Sequence, residues 1–138
     1  MFKALVLIFI VFSSAVAANT SNTLNSVLNV DRAIPSSIHL SFPNDNKITP
    51  KKSDFTILNY VLMSNNEGER WAVITLTNLS SGNRELNQEH LLALFADGSR
   101  LTPIEFKLGF KGSETQSVTV SFAEHKFPIL SVYSSNEL

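Results

Sequence analysis

The chain has 138 residues, a formal net charge of −1 and no cysteine. A near-neutral balance excludes the basic face of a nucleic-acid binder and the polybasic patch of a membrane-surface protein, and the Lys51-Lys52 pair is too short to change that. Without cysteine there are no disulfides and no thiolate metal sites, so one hydrophobic core has to hold the fold.

The first segment predicts export. Lys3 supplies the positive charge, Ala4 to Phe12 is an unbroken apolar run, and Ser13-Ser14-Ala15-Val16-Ala17 presents the Ala-x-Ala cleavage pattern. The run is far shorter than the roughly 20 residues a spanning helix needs, so it reads as a signal peptide over 1–17, cut after Ala17 or Ala18. No later stretch is long and apolar enough for a membrane helix. No cysteine follows for lipid attachment. Residues 18–34 open with Asn, Ser and Thr and read as a flexible polar leader. Leu24, Val27 and Leu28 would allow one helical turn there, against a disordered arm or a loosely held edge strand. Residues 35–138 form the predicted folded domain.

Its elements are short strands divided by turn chemistry. Ser36–Phe42 alternates, with Ile38, Leu40 and Phe42 on one face, and Pro43-Asn44-Asp45-Asn46 ends it. Asp54–Met63 and Glu69–Leu79 form a long hairpin across Asn65-Asn66-Glu67-Gly68. In the first of these strands Phe55, Ile57 and Asn59 fall on one face and Thr56, Leu58, Tyr60 and Leu62 on the other. In the second, Ala72, Ile74 and Leu76 oppose Trp71, Val73, Thr75 and Thr77. After the loop Ser80–Asn83, Glu89–Ala96 reads as a strand that turns at Asp97-Gly98 into a paired strand, Arg100–Leu108. Pro103 within that strand marks an edge or a bulge, because proline has no N–H to donate. Thr115–Phe122 alternates cleanly, with Val118, Val120 and Phe122 inward, and Pro128–Tyr133 is the last strand. About seven strands with no convincing long helix predict an all-β antiparallel sandwich, with a small barrel as the rival.

Three pieces carry a family resemblance: Val73–Ser80, a strand running into Asn-x-Ser; Leu94–Pro103, a strand, an Asp-Gly turn and a proline; and Gly112-Ser113-Glu114 followed by Val118–Phe122. In order and spacing the chain resembles the immunoglobulin-like domains of exported bacterial proteins. The resemblance covers about half of the chain after the signal peptide and implies an immunoglobulin-like antiparallel β-sandwich in the cell envelope. It carries no catalytic residue across.

Chemistry-bearing groups are sparse. His39, His90 and His125 have no short metal-ligand spacing and no cysteine partners. Serines are many, yet neither a Gly-x-Ser-x-Gly elbow nor a helical Ser-x-x-Lys is present, though a triad assembled from distant parts stays open. Glu67 with Glu69 and Glu85 with Glu89 read as solvated charges, since glycosidase carboxylates must face each other across a cleft. No Gly-rich phosphate loop occurs. Asn78-Leu79-Ser80 and Asn19-Thr20-Ser21 match the glycosylation sequon, a triplet expected by chance in so Asn- and Ser-rich a chain. The residues that invite a partner are Trp71 and Val73 on one strand, Tyr60 as a cross-strand neighbour, and Pro103 at an edge; the first reading of Trp71, however, is that it packs under a loop or the leader.

The sequence therefore predicts a non-enzymatic protein-interaction or assembly module, periplasmic or secreted, with a protein partner in the cell envelope. No cofactor and no nucleic acid are expected, and no integral membrane segment after signal cleavage. The alternative is a periplasmic inhibitor, immunity-type or small-ligand-binding protein. It would use the loops at Asn65-Asn66-Glu67, Gly82-Asn83-Arg84 and His125-Lys126.

Overall fold

The computed structural model describes residues 26–35, 37–43 and 48–138. The predicted signal peptide and residues 18–25 of the leader lie outside these residues. All regular structure within them is β, apart from one 3-10 turn.

The long hairpin forms as its pattern demands. β2 (Phe55–Ser64) and β3 (Glu69–Asn78) pair antiparallel through the turn at Asn65–Gly68. Gly68 sits at φ +83, where a side chain would be strained. Asn65, almost fully buried, organises this turn: its Oδ1 accepts the N–H of Glu67 (3.1 Å) and of Glu69 (3.0 Å). β1 (Asn29–Val30) joins the end of β2 next to this turn, and β8 (Thr115–Glu124) pairs with β3, giving the sheet order β1-β2-β3-β8. A second sheet pairs β4 (Arg84–Asn87) with β7 (Lys107–Phe110). A third has the order β6-β5-β9, from Arg100–Leu101, Leu92–Phe95 and Ile129–Tyr133. Every pairing is antiparallel.

These sheets enclose one core in a sandwich-like arrangement. Phe55, Leu62, Ala72, Ile74, Leu76, Val120 and Phe122 of the four-stranded sheet meet Leu86, Ala93, Phe95, Phe110, Ile129 and Val132 of the other two. Each large side chain fully removed from water here is worth about 1.5–3 kcal/mol.

Four sequence expectations are corrected. Tyr60 does not share a face with Thr56 and Leu58. A bulge between Ile57 and Asn59 inserts Leu58, 60 % exposed, into the ladder. One extra residue reverses the alternation, so Phe55, Ile57, Tyr60 and Leu62 all turn to the core. Residues 37–42 carry no ladder: apolar and polar residue types alternate as in a strand, but the backbone makes no strand pairing among the described residues. Arg100–Leu108 is not one strand. Only Arg100 and Leu101 pair with β5, and Lys107–Phe110 pairs instead with Arg84–Asn87. Glu89 and His90 belong to the 3-10 turn Gln88–His90, capped by Asn87, and the strand that follows begins at Leu92.

Candidate interaction surface

The outer face of β2-β3-β8 is laid out by register. Its rows are Thr56, Thr77 and Thr115; Asn59, Thr75 and Ser117; Val61, Val73 and Thr119; Met63, Trp71 and Ser121. At one end hydroxyls pair across strands, Thr75 with Ser117 at 2.8 Å and Thr77 with Thr115 at 2.7 Å. The other end is apolar: Trp71, Val73 and Met63 are half-buried and Val61 is 44 % exposed. No charged side chain stands in these rows. The indole N–H of Trp71 is buried without a hydrogen-bond partner among the described residues.

Trp71 and Val73 thus share this face as expected from their spacing. Tyr60 does not join them: opposite Ile74, it packs on the inner side against the core. Pro103 is buried in the segment between β6 and β7 and is not among the residues of these rows. The next residue, Ile104, donates its N–H to Ser121 O (2.7 Å). Sequence reading missed Val61 and Met63, which the bulge at Leu58 moves into register beside Val73 and Trp71.

The histidines lie in three separate settings. His39 is exposed. The His90 ring lies 5.7 Å from that of Phe55, and its Nδ1 accepts the Asn87 N–H (3.1 Å). Burial, with the Lys51 ammonium nearby, pushes His90 below its ordinary 6.5. The His125 ring lies on Phe95, centroids 3.9 Å apart. No group of three or more His, Cys, Asp or Glu gathers for a metal among the described residues.

One constellation brings serine, histidine and aspartate together. Ser99 Oγ lies 3.3 Å from His125 Nε2 and donates to Asp97 Oδ1 (2.7 Å). Its wiring is unlike that of a nucleophilic triad. His125 Nδ1 faces the Phe127 backbone, 3.1 Å from both its nitrogen and its carbonyl oxygen. The Ser99 hydroxyl gives its proton to Asp97, not to His125 Nε2. Asp97 lies 3.9 Å from that same nitrogen rather than orienting the ring from Nδ1. The Ser99 hydrogen bond also holds Asp97 below its ordinary 3.8. The trio ties the Asp97-Gly98 turn to the loop before β9.

One carboxylate of each pair has a partner of its own. Glu69 takes the Asn65 amide (2.5 Å), and Glu89 pairs with Lys51 at 3.1 Å. The sequon asparagine Asn78 is fully buried. Its Nδ2 donates to Gly82 O and Lys111 O, both at 2.9 Å, and its Oδ1 accepts the Ser80 N–H (3.0 Å). An amide so committed is closed to glycosylation in the folded protein. Asn19 lies outside the described residues.

No helix among the described residues is long and apolar enough to cross a membrane. Comparison with protein-family models, with curated proteins and with solved structures gives no match.

Proposed function

We propose that this protein is an exported, non-enzymatic interaction module of a bacterial cell envelope, which docks a protein partner on the outer face of β2-β3-β8. One observation carries the reading: Trp71 and Val73, with Val61 and Met63, form an apolar patch on the sheet face, in rows that hold no charged side chain and bordered by Glu69 opposite Glu124. Interface centres favour such a combination of aromatic and apolar side chains with few charges. The hydroxyl rows beside it supply a polar rim. Export follows from the apolar run and Ala-x-Ala pattern before Ala18. The immunoglobulin-like form belongs to the same proposal. It is supported by the β2–β3, β3–β8 and β5–β9 pairings, which match strands A–B, B–E and C–F of an immunoglobulin sandwich.

The test is affinity capture from an envelope fraction with the chain from Ala18 to Leu138, read by mass spectrometry. A partner captured by the wild type and by Lys111→Ala, but lost with Trp71→Ala and Val61→Asp, supports the proposal. A partner retained by both face variants, or no partner at all, overturns it.

A further inference from the structure

The start of β2 has an edge that is closed by side chains. Asp54 O accepts the Leu79 N–H (2.7 Å) on the β3 side, so the main-chain groups of Ser53, Phe55 and Ile57 point the other way. Five of these six groups are met by side chains. The Ser53 N–H donates to Ser135 Oγ (3.1 Å), and Ser53 O accepts the Asn136 amide (3.1 Å). The Phe55 N–H reaches Ser53 Oγ (3.4 Å). Phe55 O accepts the same Asn136 amide (2.6 Å), with Ser134 Oγ at 2.8 Å. The Ile57 N–H donates to Glu137 (2.7 Å). Residues 134–137 thus take the place of a neighbouring strand without pairing as one.

The bulge at Leu58 ends this run. Beyond it the parity of the edge changes, and Leu62 O faces outward, where it accepts the Asp31 N–H (2.8 Å). Ser53, Phe55 and Ile57 therefore form an isolated set of three with Phe55 at its centre. Such a set is self-complementary about a two-fold axis. In an antiparallel pair Phe55 would meet Phe55 of a second copy and Ser53 would meet Ile57, each pair exchanging both N–H···O bonds. All six outward groups of each copy would be used. Asp54 would lie opposite Thr56, so no like charges face each other, and Asp54 would keep its partner Arg84 (2.8 Å).

We infer that residues 134–137 are a cap over a dimerisation edge: they hold the protein as a monomer, and their release lets the start of β2 pair with the same edge of a second copy, centred on Phe55. An uncapped edge is a template for another strand. Ladder bonds would replace the cap bonds, so the two states differ little in hydrogen bonding and a small loss from the cap tips the balance. This edge is separate from the Trp71 face, so each proposal can fail without the other.

The double variant Asn136→Ala/Glu137→Ala removes partners of Ser53 O, Phe55 O and the Ile57 N–H. In sedimentation velocity its monomer–dimer midpoint should fall at least tenfold in concentration below the wild type's. Each single variant should move the midpoint the same way by less, which keeps the test readable if the double variant unfolds. Trp71→Ala should leave it in place. The chain has no cysteine, so introduced thiols report the register. In the Glu137→Ala background, a mixture of Asp54→Cys and Thr56→Cys chains should join by a disulfide on mild oxidation, because such cross-strand partners sit about 4.5 Å apart at Cα. Thr56→Cys alone should not, since its two copies would lie diagonally, about 8 Å apart. Folded variants that stay monomeric, a dimer without the mixed crosslink, or a midpoint moved equally by Trp71→Ala would each overturn the inference.

Discussion

Glu137 accepts the backbone N–H of Ile57 at 2.7 Å, so a carboxylate from the segment after β9 closes the open edge of β2. The same carboxylate takes the Thr56 hydroxyl (2.9 Å) and, through its other oxygen, the N–H (2.7 Å) and hydroxyl (2.5 Å) of Ser134. An unpaired strand edge invites pairing with other chains, and this contact blunts it. Glu137→Ala should cost about 1–2 kcal/mol, a modest figure because the residue is exposed and water screens part of the loss. It should also raise the tendency to aggregate. Denaturant unfolding and light scattering of the variant check both.

Acid should weaken the fold in two steps. Burial lowers the His90 pKa, so the unfolded chain binds a proton that the folded one refuses. That contribution is whole above about 6.5 and is lost as pH falls below it. Burial raises the Glu137 pKa, but the hydrogen bonds from Ser134, Ile57 and Thr56 outweigh it and hold the carboxyl below its ordinary 4.5. Its contribution is present above 4.5 and fades as pH falls through the depressed value. Unfolding midpoints from pH 8 to 3 should show both losses. His90→Gln should remove the upper one and Glu137→Gln the lower.

Two small residues should respond in opposite directions. Ala123 sits at φ +60 in a bulge, where Phe122 and Ala123 oppose Arg70 alone. Ala123→Gly should stabilise by about 1 kcal/mol, because glycine removes the left-handed penalty of an L-residue. Gly112→Ala should be severely destabilising: a Cβ there would lie 2.0 Å from Ser81 O, a backbone atom that cannot swing aside. Thermal unfolding of the two variants is the measurement.

Asn78 ties the loop after β3 to the turn before β8. Asn78→Ala leaves Gly82 O, Lys111 O and the Ser80 N–H without that partner and should cost about 2–4 kcal/mol, since three hydrogen bonds of a fully buried side chain go. Chain produced in a glycosylating host should carry no glycan at Asn78 once folded, which intact mass of the tryptic peptides reports.

The inward and outward faces of β3 and β8 were legible because β3 alternates from Trp71 to Asn78 and β8 from Thr115 to Phe122 without interruption, and the Asp97-Gly98 turn was legible from its residue pair. Three features were hidden by the limits of local pattern. The bulge at Leu58 leaves no mark in a run of apolar residues, so the face of Tyr60 was misread, and with it the true neighbours Val61 and Met63. β4 is four residues with a single buried side chain, Leu86, which is too short for a period to show. Residues 36–42 carry a strand's alternation, but pairing needs a partner edge, which the surrounding sequence does not encode. The bulge gives a sharp check: deleting Leu58 restores regular alternation without changing which β2 residues face the core. That deletion should fold with a circular dichroism spectrum like the wild type's, whereas deleting Val73 should unfold the chain because it turns half of β3 inside out.

The interaction proposal stands or falls on the face around Trp71, and the most direct measurement is photo-crosslinking from that face in intact cells. A photoreactive amino acid at Val73 should trap one protein as a defined adduct. The same group at Leu79, which is 61 % exposed but lies beyond the end of β3, should trap none. The account is contradicted by no adduct from Val73, or by the same adducts from both positions.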